Sequence, residues 1–221
     1  MASGIIEAMR GDEAVRDLPL VAIDTETTGK QPEQDRIIEV ACVFRRDGVI
    51  TGHRSWLINP GCPIPEEASS VHGIRDADVQ DQPRFEQAAS EIFETLRGCV
   101  PVAYNAGFDR KFLLAEFERC RGLPAKPPPA LTQDVVWIDP LVWARELQKQ
   151  HRSRALSDVC ERLGIEIGRA HRATDDAAAT LQVLAAFERD PRVPETYGAF
   201  IQEQQRLARR MQEQRRAWRR G

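Results

Sequence analysis

Asp24 and Glu26 stand two residues apart at the end of a short apolar run, Leu18-Pro-Leu-Val-Ala-Ile23. If the run is a strand, its side chains alternate faces, so both carboxylates share one face and Thr25 takes the other. Two carboxylates held together repel and raise each other's pKa unless something positive lies between them. A hard divalent cation, which prefers oxygen ligands, is the simplest such group. A lone Asp-x-Glu at a strand end is more often just solvated, so the reading needs further acids. Asp109 is one. It follows Tyr104-Asn105-Ala-Gly107-Phe108, which reads as a strand end, a turn at glycine and a helix start. In a first helical turn it suits the positive end of the dipole, and it lies one helical step from Phe112 and Leu113, so it should face the sheet. The plain alternative is an ordinary acid at a helix N-terminus. Asp176 is another. Thr174 can cap a helix whose apolar face holds Ala177, Leu181 and Leu184. Asp176 falls about 100° from Ala177, at the edge of that face, whereas Asp175 falls about 160° away and should face solvent. His171, in the loop before this helix, would ordinarily be a surface residue, but beside an acidic metal site it is a natural general base. Four carboxylates and one His suit paired divalent ions and a water nucleophile, the chemistry of in-line phosphodiester cleavage.

The elements that must position these groups can be read along the chain. Residues 1–17 form an arm or short helix, and residues 18–26 the first strand. Residues 36–45 form a second strand and 49–58 a third, joined by the hairpin signal Asp47-Gly48. Prolines around residue 60 break the pattern. Amphipathic periodicity predicts a helix over 83–96. A fourth strand over 99–104 leads into the helix at 108–120, and a short fifth strand at 135–138 precedes helices at 140–149, 156–163 and 174–188. A strand meander followed by strand–helix alternation gives an α/β fold, a mixed sheet flanked by helices. Pro191 and Pro194 mark the end of the compact part. The expected organisation is an arm at 1–17, a catalytic domain at 18–190 and a basic helical tail at 191–221.

Composition limits the alternatives. The chain has 221 residues and a net charge of −3, so attraction to a polyanion must come from local patches or bound metal. Its five cysteines are scattered, with no Cys-x-x-Cys, which argues against a zinc site or disulfide framework and fits a reducing cytoplasm. The N-terminus lacks a signal-peptide pattern, and no run is apolar enough to span a membrane. The tail is the main cationic feature: Arg206, Arg209, Arg210, Arg215, Arg216, Arg219 and Arg220 accompany Trp218 and a single acid, Glu213. It reads either as a solvated helix or as an anchor for phosphates or a partner.

Three segments resemble the DnaQ-like 3′–5′ exonucleases of the DEDDh group, which includes proofreading subunits of bacterial replicative polymerases. Asp24-Thr25-Glu26 with Thr27-Thr28-Gly29 matches the first motif, Asn105 to Asp109 the second, and His171 with Asp176 the third; Val71-His72-Gly73-Ile74 resembles the family's segment near the primer terminus. The resemblance runs from Leu18 to Glu188 and leaves out the basic tail. It implies an RNase H-like fold with a five-stranded mixed sheet. It also implies two Mg²⁺ (or Mn²⁺) ions held by Asp24, Glu26, Asp109 and Asp176, with Asp24 bridging and His171 activating water. Glu67 and His72 would lie near the last nucleotide, and main-chain groups at Thr27 and Thr28 would touch its sugar and phosphate. Asn105 belongs to the same substrate side. Phe108 is either a core residue or a base-stacking one. The implied activity is metal-dependent 3′–5′ hydrolysis of single-stranded DNA or RNA ends, DNA foremost, to nucleoside monophosphates. The alternatives are a proofreading-type subunit acting inside a polymerase or repair complex through its tail, and an RNA-trimming enzyme.

Overall fold

The computed structural model describes residues 11–120, 128–132, 134–168 and 172–218. The first ten residues of the expected arm, His171 and the last three residues of the expected 191–221 tail fall outside them. Strands β1 (Leu20–Thr27), β2 (Ile37–Arg46) and β3 (Val49–Leu57) form an antiparallel meander, and β4 (Val100–Val102) adds in parallel to β1, giving the order β3-β2-β1-β4. The hairpin between β2 and β3 turns at Asp47 and Gly48, both at positive φ, as a two-residue reversal demands.

Among the described residues the sheet has four strands, so the expected fifth is corrected. Residue 138 makes a single parallel bridge to Val102, donating to the Pro101 carbonyl and accepting from the Ala103 N–H. A side chain takes over on the outer side: Gln204 donates to the Trp137 carbonyl and accepts from the Asp139 N–H. With Pro140 opening a helix immediately afterwards, no room remains for a longer ladder.

Helices cover both faces. The helices are α1 (Glu66–His72), α2 (Asp76–Val79), α3 (Phe85–Thr95), α4 (Gly107–Arg119), α5 (Pro140–Leu147), α6 (Leu156–Leu163), α7 (Ala173–Phe187) and α8 (Tyr197–Trp218). The alternation of β1 divides the core. Val21 and Ile23 pack with Phe85, Ile92 and Phe112 of α3 and α4. Leu20 and Ala22 pack with residues of α5 to α8, among them Trp143, Ala177, Leu181 and Phe200. Phe200 and Leu207 are both buried, so the first half of α8 is part of the body. So is Val15, in a 3₁₀ turn (Val15–Asp17) before β1. No helix among the described residues is long and apolar enough to cross a membrane.

Candidate active site

The parity that splits the core also aims the carboxylates. Asp24 and Glu26 continue the series of Leu20 and Ala22, so they face α7. Small residues line this approach: Ala41 pairs with Asp24 across the β1–β2 register, and Ala173 and Ala177 are the buried alanines at the start of α7. The helix therefore lies close enough to bring in Asp176. One ligand oxygen from each of Asp24, Glu26 and Asp176 lies within 4.8 Å of the others. The register of β1 and β2 shifts between Glu26 and Thr27, an irregularity of the kind that re-aims side chains beside functional sites.

Asp109 comes from the opposite face. It is buried in the first turn of α4, and its Oδ1 accepts from the Thr25 N–H at 3.0 Å and the Thr25 hydroxyl at 2.8 Å. Thr25 thus points away from Asp24 and Glu26 and clamps the fourth acid. The charge of Asp109 still reaches the group: it raises the pKa of both Asp24 and Glu26.

Electrostatically the site is dominated by its carboxylates. Burial first, then Asp109, Glu26, Asp176 and Glu39 push the Asp24 carboxyl well above its usual range. Burial, Asp176, Glu39 and Asp109 push Glu26 to about 8, opposed by Arg172. Asp109 is raised to about 7 by burial, against the lowering effect of its Thr25 hydrogen bonds. Carboxylates in this state either hold protons or bind a positive ion. The donor set fits a divalent cation: all the ligands are hard carboxylate oxygens, gathered within 4.8 Å of one another.

Two supporting acids were not singled out from the sequence. Glu39 lies directly opposite Glu26 in the β1–β2 register and is buried. It accepts from the Ala173 N–H at the start of α7 and lies near Arg172, both of which oppose the upward push of burial on its carboxyl. Glu39 therefore fills the capping role expected of Thr174; α7 begins at Ala173, with Arg172 as its N-cap residue. The available signal was an acid within the apolar strand Ile37-Ile-Glu39-Val-Ala-Cys. Asp139 caps α5 through the Leu141 N–H and also accepts from the Asn105 and Ala106 N–H groups. It fixes the turn, at φ +73° on Asn105, from which α4 and Asp109 emerge. Its signal was Asp-Pro at a helix start.

The other expected residues are placed as follows. Asp175 is half-buried rather than turned to open solvent; it sits where a Cβ on Gly168 would meet its carboxylate at 3.0 Å. Thr27 and Thr28 are buried. The Thr27 hydroxyl donates to the Gly29 carbonyl, and Thr28 exchanges hydrogen bonds with the Arg36 backbone. The loop closes so tightly over Asp35 that a Cβ on Gly29 would run into its carboxylate. Arg36 then forms a two-pronged pair with the buried Glu116 of α4, at 2.7 and 2.9 Å, which ties the Thr27–Thr28 loop to the helix carrying Asp109. Glu67 is exposed on α1. His72 is buried at the end of α1, its Nδ1 accepting from the Ile74 N–H. Asn105 is exposed, while Phe108 is half-buried with its ring 4.8 Å from that of Phe112.

Comparison with known proteins agrees with this arrangement. Residues 21–184 match the family model RNase_T, described as Exonuclease. A DNA polymerase III PolC-type protein of Thermotoga petrophila is 34% identical over 183 residues, covering 83% of this chain and 13% of that protein. The DNA polymerase III subunit epsilon of Treponema pallidum is 37% identical over 167 residues, covering 74% of this chain and 73% of that protein. Among solved structures, exonuclease X in complex with 5′ overhanging duplex DNA superposes with a TM-score of 0.62 at 26% identity, covering 82% of this chain and 98% of that one. The chain thus spans about an eighth of the PolC-type relative, against nearly three quarters of the epsilon subunit. The fold is RNase H-like, and with a family model matched over most of its length the chain belongs to the RNase_T exonuclease family.

Proposed function

We propose that this chain is a metal-dependent 3′–5′ exonuclease that hydrolyses single-stranded nucleic acid ends, DNA foremost, to nucleoside monophosphates. The observation that carries the reading is the convergence of Asp24, Glu26 and Asp176 in a site whose carboxyls are pushed up by burial and mutual repulsion. Membership of an exonuclease family and likeness to a protein solved on DNA support it.

Asp24, Glu26 and Asp176, together with Asp109, would hold two Mg²⁺ ions (or Mn²⁺). When bound, the ions supply Lewis acidity, which ionises water near neutral pH and offsets charge on the leaving oxygen. The protein does the rest. Thr25 orients Asp109, Glu39 holds the start of α7 and with it Asp176, and His171 takes the proton of the attacking water. The loop at Thr27 and Thr28, together with Glu67, His72, Asn105 and Phe108, would form the pocket for the terminal nucleotide. The five cysteines are all free, which suits a reducing cytoplasm. A second reading is action inside a polymerase or repair complex through residues 191–221; the likeness to a polymerase subunit favours it.

The test is digestion of 3′-labelled and 5′-labelled single-stranded DNA and RNA oligomers with Mg²⁺ or with chelator, beside Asp24→Asn and His171→Ala. Stepwise metal-dependent loss from the 3′ end, abolished by both substitutions, is expected, with DNA cut faster than RNA. Absence of cleavage with metal present, for all oligomers, overturns the reading of the chain as an enzyme acting alone.

A further inference from the structure

A cleft of about 1190 Å³ lies apart from the acidic site. It lies between α5, the loop joining α5 to α6, and the distal half of α8. Its walls carry Arg145, Lys149, Arg152, Arg154, Arg210 and Arg215 against one acid, Glu146. Glu146 pairs with Arg210 and Lys149, so a single carboxylate serves all six cations of the lining. Burial and then the charge of Arg215 hold the Arg145 guanidinium below its ordinary range, opposed by Asp139 and Tyr104 and helped by Arg154. A fold tolerates such repulsion when an anion relieves it. The protein as a whole is acidic, at −3, so the concentration of cations here is local.

One end of the cleft is built from Tyr104 and Asn105, the last residues before the turn that leads into α4 and Asp109. The cleft therefore shares with Asp109 the turn that follows β4. The opposite wall comes from α8, beyond the span matched by the family model. The cations are five Arg and one Lys; planar guanidinium groups pair with phosphates through two bonds and stack on bases. Tyr104 lines the cleft half-buried, and its hydroxyl donates to the Arg154 carbonyl at 2.7 Å, which holds the loop between α5 and α6.

We infer that this cleft is a track for the phosphate backbone of a single-stranded nucleic acid, holding the nucleotides upstream of the 3′ end that enters the acidic site. The inference rests on the exonuclease reading for the polarity of the strand, but the binding it describes needs no metal. An acidic protein segment would meet the same charges. The turn shared with Asp109 and the preponderance of Arg over Lys favour the nucleic acid.

The experiment is anisotropy binding of 5′-fluorescein thymidylate oligomers, a tetramer and a hexadecamer, in chelator, to the full chain. The variants are Arg145→Gln/Arg152→Gln/Arg215→Gln and, because Arg145 is half-buried, the surface pair Arg152→Gln/Arg215→Gln. A third, Arg16→Gln/Arg46→Gln/Arg97→Gln, removes the same charge outside the cleft. The hexadecamer should bind the triple cleft variant about tenfold more weakly than wild type, the double variant in between, and the tetramer should change far less. The slope of log affinity against log salt for the hexadecamer should fall by about 2 as three phosphate contacts are lost. Equal weakening by the cleft and outside variants, or equal weakening of both oligomers, overturns the track. So does unchanged binding of the hexadecamer with loss of binding to polyglutamate, which would assign the cleft to an acidic partner. If the cleft dependence holds while no oligomer is hydrolysed with Mg²⁺, the exonuclease reading fails and the track stands. If hydrolysis proceeds and the cleft dependence is absent, the reverse is true.

Discussion

Asp109 and Thr25 are joined twice: one carboxylate oxygen accepts both the Thr25 N–H and the Thr25 hydroxyl. The link crosses from α4 to the middle of β1 and fixes an acid that the other three reach from the far face of the sheet. Thr25→Val keeps the shape and removes one donor. Stability should drop by about 1 kcal/mol. The Mg²⁺ concentration for half-maximal hydrolysis should rise about tenfold, the usual consequence of losing a partner behind a ligand. A Mg²⁺ titration of activity alongside a urea melt checks both.

Glu39 faces Glu26 and holds the start of α7. Glu39→Gln keeps an acceptor for the Ala173 N–H and removes a like charge. The metal-free protein should become more heat-stable and its gain in Tm on adding Mn²⁺ should shrink. Glu39→Ala loses the acceptor as well and should cost about 1 kcal/mol, the ordinary value for a lost cap. Melts of the two variants with and without Mn²⁺ separate charge from capping.

Without metal the site should make stability fall with rising pH. Folding raises Glu26 from 4.5 to about 8, so the folded protein holds that proton more tightly than the unfolded chain. The stabilisation is present below the unfolded value and is lost as pH climbs through the folded one; Asp24 and Asp109 are shifted the same way. Tm of the chelated protein should decline from about pH 5 to pH 8, and Mn²⁺ should flatten the decline. Thermal scans across that window decide it, and a Tm of the chelated protein that rises with pH contradicts the arrangement.

The pair between Arg36 and Glu116 holds the loop after β1 to α4. Glu116 is 1% exposed and Arg36 30%, so removing the acid strands a partly buried guanidinium. Glu116→Ala should cost about 3 kcal/mol, or roughly 6–12 °C in Tm for a chain of this size. Activity measured well below the new Tm should recover much of its value, because the catalytic acids themselves remain.

The sequence was most informative where one short element set the geometry. Strand parity alone put Asp24 and Glu26 on one side and Thr25 on the other, and helical phase chose Asp176 over Asp175. It was least informative where a side chain substitutes for backbone. Nothing local says that Gln204, more than sixty residues away, completes the hydrogen bonding around Ile138 and cuts a strand to a single bridge. Nor does local pattern show that Glu39 rather than Thr174 caps α7, because the cap arrives from a neighbouring strand. Asp175 was assigned to solvent from helix phase, which cannot see that the chain before α7 folds back until Gly168 abuts its carboxylate. The three acids that close on one another could be found because each lies at an element's end, where a motif and a boundary coincide.

The bridge at Ile138 also bears on the edge of the sheet. Beyond β4 the sheet has a bare border of N–H and C=O groups, the sort of template on which another chain can lay a strand. Here it is sealed by one residue and by the Gln204 amide of α8. Cutting away the C-terminal helix to remove its arginines would also unseal that border and take Phe200 and Leu207 out of the core. The shortened protein would be prone to self-association, so the cations of the helix are better removed one at a time by substitution.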